Sequence, residues 1–115
     1  MQTDTTRFTI ESLLVQVIPD PDPDTSWLDT EQQELYNEGR LCFVGVQAVC
    51  KLRGPSGCQQ EFISAGLWGI DDDSGREYFA LVARDELNAL AMDVAAIGCD
   101  MSEWQSLANE AIENI

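Results

Sequence analysis

The sequence lacks histidine altogether, and it has only six basic residues against 21 acidic ones among its 115. Its cysteines are Cys42, Cys50, Cys58 and Cys99, and no two of them have CxxC spacing. Zinc sites use closely spaced cysteine and histidine ligands, so no zinc centre is expected. No histidine is present to act as a base for a cysteine nucleophile. These absences predict a protein that is not an enzyme and that holds no metal or cofactor.

Long apolar runs are missing as well. No stretch approaches the about 20 apolar residues that a membrane-spanning helix needs, and no basic N-terminal region precedes an apolar segment. We therefore expect a cytoplasmic protein whose thiols are reduced.

The shortage of basic residues leaves a formal charge of −15. Nucleic-acid phosphates and anionic membrane surfaces would repel such a chain, so direct binding to nucleic acid or to a membrane is not expected. A basic protein surface is the partner that this charge would attract, above all a surface that normally holds nucleic acid.

The hydrophobic content of 44% is enough for one folded domain over residues 1–115. Alternating apolar residues predict a strand over Arg7–Ile18, with a bulge near Ser12, and a second strand over Leu41–Leu52. Cys42 and Cys50 fall on the core face of that second strand. A turn follows at 54–57, and Cys58–Ile70 is predicted to return as a third strand.

Three helices are predicted around these strands. The first is short and covers Ser26–Glu38, and Gly39 follows it as the expected terminator. Capping boxes, Ser74 with Glu77 and Asp100 with Glu103, are expected to open two further helices, the first of which ends before Gly98. The predicted fold is α+β: a three-stranded antiparallel sheet, two C-terminal helices packed on it, and a short helix in the loop after the first strand.

Two acidic segments suggest metal binding. Asp20, Asp22, Asp24 and Glu31 occupy the first, third, fifth and twelfth positions of a calcium-loop pattern. Thr25 stands where that pattern requires glycine, however, and prolines alternate with the aspartates, so a solvated acidic loop is favoured. The run 71–73 could form a magnesium cluster, but turn preference and the positive end of a helix dipole account for it better.

Tryptophans are the other notable side chains. Trp68 lies between Gly66 and Gly69, where small neighbours could leave the ring exposed at the end of a strand, although packing is favoured. Trp27 and Trp104 are expected to dock their own helices.

The charge is unevenly distributed along the chain. Residues 1–40 carry nine acids and two arginines, residues 41–57 carry no acid and two bases, and residues 58–115 carry twelve acids and two arginines. The acids are thus expected on the loops and helices around a neutral central strand, where carboxylates could imitate the spacing of phosphates. The alternative is that acidity serves only solubility.

In size, acidity, simple α+β plan and lack of enzyme motifs, the chain resembles acidic anti-CRISPR and related anti-defence proteins of phages and mobile elements. Several members of that group imitate nucleic acid. The resemblance is one of overall character and transfers no residue role. It implies stoichiometric inhibition, in a bacterial host cell, of a defence effector whose basic channel receives DNA or guide RNA.

The leading hypothesis is a non-enzymatic inhibitor, monomeric or homodimeric, that binds the basic surface of a nucleic-acid-handling protein complex, with a CRISPR effector as the candidate partner. The predicted contact residues are Asp20, Asp22, Asp24, Asp29, Glu31, Glu34, Asp71, Asp72, Asp73 and Glu77. The alternative is an adaptor or assembly protein with an apolar interface, built on a sheet edge or on Trp68. A calcium-dependent module is the third hypothesis.

Overall fold

A computed structural model describes residues 7–115. Within them the fold is α+β, with an antiparallel sheet of four strands and three α-helices. The elements are β1 (Thr9–Pro19), α1 (Thr30–Asn37), β2 (Phe43–Arg53), β3 (Gln59–Ile63), β4 (Leu67–Asp71), α2 (Arg76–Ala96) and α3 (Trp104–Glu113). The predicted fold class is confirmed, but the predicted number of strands is wrong by one.

Strand β2 is the centre of the sheet. It pairs with β1 along one edge, from Thr9 opposite Arg53 to Pro19 opposite Val44. Its other edge is shared by two strands, because β3 pairs with the last five residues of β2 and β4 with the first four. The predicted third strand, Cys58–Ile70, is therefore two strands in succession.

Ser64 explains why that strand divides. Its N–H donates to the Ala48 carbonyl and its Oγ accepts from the Ala48 N–H, both at 2.9 Å. The same hydroxyl donates to Glu86 Oε1 on α2 at 2.8 Å, and that oxygen also accepts from the Gly66 N–H at 2.7 Å. In the segment between β3 and β4, hydrogen bonds from the Ser64 and Glu86 side chains thus take the place of backbone pairing with β2. They also keep the buried polar groups paired.

The bulge in β1 is where the sequence predicts it. Ile10 pairs with Leu52 and Ser12 with Lys51, so Glu11 is the additional residue on β1. The shift explains why the apolar alternation changes phase in the sequence, since one extra residue turns every later side chain to the other face.

One face of the sheet and the two long helices form the core. On β2, Val46, Ala48, Cys50 and Leu52 are fully buried, as their alternation predicts. The helices cover them with Val82, Ala83, Leu87, Leu90 and Val94 of α2, and Trp104, Ala108 and Ile112 of α3. Cys42 was predicted on this face, but it precedes the strand and is exposed.

The starts of α2 and α3 differ from the predictions. Gly75 precedes α2 with a φ of 91°, and the Ser74 hydroxyl donates to the Asp71 carbonyl at 2.6 Å instead of capping the helix. Ser74 and Glu77 form no capping box, because Gly75 is the residue that precedes α2 and no side chain caps that helix. Asp100 and Glu103 form none either, because α3 begins only after Glu103 and has no side-chain cap.

The short helix α1 has the capping box instead. Asp29 Oδ1 accepts from the Gln32 N–H at 2.8 Å, and Gln32 Oε1 accepts from the Asp29 N–H at 3.1 Å. The helix begins four residues later than predicted, and Gly39, with a φ of 74°, follows it as expected.

Candidate functional site

Both acidic segments lie at one end of the sheet. Strands β1 and β4 run antiparallel to β2, so each finishes beside the start of β2. The Asp20 N–H donates to the Phe43 carbonyl and the Asp72 N–H to the Cys42 carbonyl, both at 3.0 Å. We call residues 20–40 and 71–77 the acidic end of the molecule.

Asp20 connects the two acidic segments across β2. The register between β2 and β4 shifts between Val44 and Val46, and Gly69 adopts a φ of 73° at this irregularity. The Gly69 N–H donates to Asp20 Oδ2 at 3.0 Å, while Asp20 Oδ1 accepts from the Asp22 N–H at 3.0 Å. The Asp20 carboxylate therefore holds its own loop and β4 in place.

Three more of the predicted contact residues have structural hydrogen bonds. Asp24 accepts from the Ser26 hydroxyl at 2.6 Å and from the Ser26 N–H at 3.0 Å, and these bonds hold the pKa of Asp24 below its usual value. Asp29 caps α1, and Asp71 accepts from the Asp73 N–H at 2.9 Å. These three carboxylates shape the loops at the acidic end.

The other six predicted contact residues are exposed, and their carboxylates accept no hydrogen bond from residues 7–115. They are Asp22, Glu31, Glu34, Asp72, Asp73 and Glu77. They do not form one flat face. Glu34 lies on α1 and lines a groove with Thr25 and Asp29, whereas Asp72 lines a different groove with Val17 and Phe79 on the helical side of the sheet. The acidic end therefore presents negative charge in several directions.

The calcium-loop pattern does not form a cation site here. The Asp20 and Asp24 carboxylates accept hydrogen bonds from nearby N–H and hydroxyl groups. Across residues 7–115, no group of three or more His, Cys, Asp or Glu side chains is arranged to hold a metal ion. The run 71–73 forms a turn, in which Asp71 accepts from Asp73, as the turn interpretation predicts.

Aromatic rings cover the start of β2 on the sheet face opposite the long helices. Phe43 points to that face, and the rings of Trp27 and Tyr36 lie 6.0 and 5.9 Å from it between centroids. Trp27 precedes α1 and meets Phe43 at an interplanar angle of 64°. It remains 60% exposed, so it docks this segment only by part of its ring.

Trp68 lies on the same face, against Gly45. A Cβ at Gly45 would collide with the Trp68 ring, so only glycine fits there. The indole Nε1 donates to the Ala65 carbonyl at 3.0 Å. The predicted alternatives were packing and exposure, and the ring is half-buried on the sheet surface, outside the main core.

The rings of Trp27, Phe43 and Trp68 border a groove of about 380 Å³ that runs along β4. Its lining includes Trp27, Phe43, Trp68 and Tyr78, with Asp71 and Ser74 among the polar residues. We call this the aromatic groove. The sequence analysis singles out Trp27 and Trp68. It does not predict that Phe43 and Tyr78 line the same groove, because their positions depend on strand register and on the turn into α2.

The cysteines are free thiols of two kinds. Cys42 and Cys58 are exposed, whereas Cys50 and Cys99 are buried. Burial, with a smaller contribution from Cys99, raises the pKa of Cys50 to about 12. Burial also raises the pKa of Cys99. Both buried thiols stay protonated near neutral pH, which makes them poor nucleophiles.

Comparisons with protein-family models, with curated proteins and with solved structures find no match to this chain. Among residues 7–115, the helices are too short or too polar for any of them to cross a membrane.

Proposed function

We propose that this chain is a non-enzymatic inhibitor that uses its acidic end to bind the basic, nucleic-acid-binding surface of another protein. The observation that carries the proposal is the charge that the strand topology brings together. The acidic end has eleven carboxylates, Asp20, Asp22, Asp24, Asp29, Glu31, Glu34, Glu38, Asp71, Asp72, Asp73 and Glu77, against two arginines, Arg40 and Arg76.

Little of that charge is neutralised within the chain. Among residues 7–115 there are two ion pairs, and only Arg40 with Glu38, at 3.5 Å and well exposed, lies at the acidic end. Arg76 donates to the last carbonyls of α3, those of Ile112 and Glu113. A field of this sign accelerates association with a basic surface and is weakened by salt.

A basic surface that normally holds nucleic acid offers lysines and arginines already placed to meet a row of negative charges. The fixed carboxylates of the acidic end would meet them without much rearrangement, because Asp20, Asp24, Asp29 and Asp71 are held by hydrogen bonds. The target class we propose is therefore a bacterial nucleic-acid-handling effector, in the manner of anti-CRISPR and anti-defence proteins.

Competition with DNA tests this function. Purified chain would be added to bacterial CRISPR effectors bound to guide RNA, and the binding of labelled target DNA would be measured by fluorescence anisotropy. We expect stoichiometric displacement of DNA by the chain for one class of effector, with an affinity that falls steeply as salt rises. If no nucleic-acid-handling protein loses its DNA to the chain, the proposal is wrong.

A second candidate, an adaptor with an apolar interface, is supported by a row of side chains on the open sheet face. Val49 is paired with Leu14 on β1 and with Ile63 on β3. Leu14 is 36% and Ile63 52% exposed. A complex that survives about 1 M salt, where the screening length is about 3 Å, and that is lost in Leu14→Asp would favour this function.

A further inference from the structure

The aromatic groove combines aromatic rings with carboxylates, a pairing that suits a cation. Aromatic faces attract a cation through the ring quadrupole, most strongly for tryptophan. Trp27, Trp68 and Tyr78 border the groove together with Asp71. Its volume of about 380 Å³ lies near the lower limit for small-molecule sites, so it suits one side chain better than a large ligand.

Two of the rings that border the groove are largely exposed to solvent. Trp27 is 60% exposed and Tyr78 is 43% exposed. The Trp27 indole makes no hydrogen bond with residues 7–115, whereas the Trp68 indole donates to the Ala65 carbonyl. Tryptophan and tyrosine, together with arginine, are enriched among the residues that dominate the energy of protein interfaces.

The negative charge beside these rings is held in place. Asp71 Oδ1 accepts from the Asp73 N–H at 2.9 Å, and the Ser74 hydroxyl donates to the Asp71 carbonyl at 2.6 Å. Asp20 Oδ2 accepts, at 3.0 Å, from the N–H of Gly69, which itself lines the groove. The Asp71 carboxylate is thus fixed in the lining before any ligand arrives, and Asp20 is held against the backbone of that lining at Gly69. Fixed groups lower the ordering cost of binding.

The chain's own arginines near the acidic end are used elsewhere. Arg40 pairs with Glu38, and Arg76 donates to the carbonyls at the end of α3. Neither borders the aromatic groove. The cation that the groove attracts must therefore come from outside the part of the chain that the structure describes.

We propose that the aromatic groove receives one arginine side chain from the partner's basic surface, with the guanidinium on the tryptophan rings and facing Asp71. Arginine fits better than lysine because its planar group stacks on aromatic faces and also donates to carboxylates. This inference rests on the proposed function, since it names the side chain that the acidic end would bind.

A small arginine compound tests the groove without the partner. The chain would be titrated with N-acetylarginine methylamide, and with the citrulline analogue as a neutral control of the same shape, while indole N–H signals are followed by NMR. We expect a millimolar Kd for the arginine compound, as befits one side chain. The Trp27 and Trp68 indole signals should shift, and that of the buried Trp104 should not. The citrulline compound should bind about fivefold more weakly, roughly the effect of one exposed cation–π contact.

Variants locate the binding. Trp27→Ala and Asp71→Asn should each weaken binding of the arginine compound by about fivefold. Glu61→Gln, which removes an exposed carboxylate at the other end of the sheet, should leave it unchanged. Circular dichroism would establish that all three variants are folded, and Trp27→Phe provides a milder change should Trp27→Ala not fold.

The outcomes separate this inference from the proposed function. Equal binding of the arginine and citrulline compounds, or tighter binding of N-acetyllysine methylamide titrated in the same way, would overturn the arginine assignment. DNA displacement that is sensitive to salt but unchanged in Trp27→Ala would leave the inhibitor function standing and reject the groove. Trp27-dependent binding of the arginine compound, without DNA displacement from any effector, would support the groove and reject the inhibitor function.

Discussion

The two ends of the sheet differ in how far their charges are paired. At the end where β1 starts and β2 finishes, Arg53 contacts Glu11 at 3.1 Å, and Glu11 also accepts from the Gln59 amide at 3.3 Å. Lys51 lies opposite Glu61 in the neighbouring strand. Acids and bases are matched there. The acidic end, by contrast, has eleven carboxylates and only two arginines.

The two ends differ in their number of acids and not in their number of bases, since Arg40 and Arg76 lie at the acidic end and Lys51 and Arg53 at the other. Cross-strand pairs of opposite charge stabilise a sheet by about 0.2 to 1 kcal/mol each. Within residues 7–115, Arg53 with Glu11 and Lys51 opposite Glu61 are such pairs, and both lie at the end of the sheet away from the acidic end. Repulsion among the carboxylates at the acidic end lowers the stability of the fold. Binding of the basic partner proposed for this end would relieve that repulsion.

Charge reversal at the acidic end should weaken partner binding more than any other change. Replacing Asp22, Glu31 and Glu34 by lysine changes exposed carboxylates that accept no hydrogen bond from residues 7–115. At about 1 kcal/mol for each contact, binding to the partner should weaken by about 100-fold. Isothermal titration calorimetry against the effector would measure the loss.

The matched control reverses the same number of charges on the helices. Asp85, Asp93 and Glu110 are exposed on α2 and α3, outside the acidic end. Their replacement by lysine alters the net charge by the same amount and should change the affinity much less. Equal losses from the two triple variants would mean that only net charge matters, which would contradict a specific acidic end.

The link between the two ends predicts the next largest effect. Glu86 accepts from the Ser64 hydroxyl and the Gly66 N–H where β3 gives way to β4. Glu86→Ala leaves both donors without that oxygen and should lower the free energy of unfolding by about 2 kcal/mol. Chemical denaturation would measure it, with the exposed neighbour Asp85→Ala as control, expected within about 0.5 kcal/mol of the parent.

Hydrogen exchange adds a spatial test of the same variant. Amides of β4, at the acidic end, should exchange faster in Glu86→Ala, while those of β3 should change less, because β3 keeps its five paired residues on β2. Uniformly faster exchange in both strands would mean that the two ends unfold together.

Sequence periodicity predicted those parts of the fold that depend on local pattern. The buried alternation of β2, the bulge at Glu11 and the end of α2 before Gly98 are all visible in the order of residues. The division at Ser64 is different, since it depends on a glutamate 22 residues away on α2. No local pattern reveals that contact.

The sequence predicts only part of the candidate site, for a similar reason. The acidic residues can be read from the sequence, but their meeting at one end requires β1 and β4 to pair with the same strand. The expected capping box at Ser74 was wrong because the Asp71 carbonyl accepts that hydroxyl's hydrogen bond. Spacing shows which residues could cap a helix, and backbone geometry decides which do.

Alkaline pH should act on the core, through the buried thiol of Cys50. The pKa of Cys50 rises from 9.0 to about 12 on folding. A raised pKa gives stability that is fully present below pH 9 and is lost as pH rises towards 12. Between pH 8 and pH 10 the free energy of unfolding should fall by about 1 kcal/mol through Cys50.

The variant Cys50→Ala isolates that contribution. It creates a small cavity, so it should be less stable at pH 8, but its stability should decline less steeply above pH 9 because the titrating thiol is gone. Urea denaturation at pH 8, 9 and 10 would compare the slopes. Parallel slopes for the parent and Cys50→Ala would show that Cys50 ionises as readily in the folded chain as in the unfolded one.

Calcium should have the smallest effect, even though it would be drawn to the more negative end. Asp20 and Asp24 each accept hydrogen bonds from the loop itself, and Thr25 stands where a calcium loop needs glycine. An ion that binds only the folded state at 100 times its Kd would add about 2.7 kcal/mol of stability. We expect instead that about 1 mM calcium leaves the melting temperature unchanged in 0.15 M salt, where nonspecific attraction is screened.

Magnesium at the same concentration is the control for general screening by divalent ions. A rise in melting temperature with calcium but not magnesium, lost in Asp22→Asn, would show that the loop rearranges around the ion and that the acidic end is a metal site.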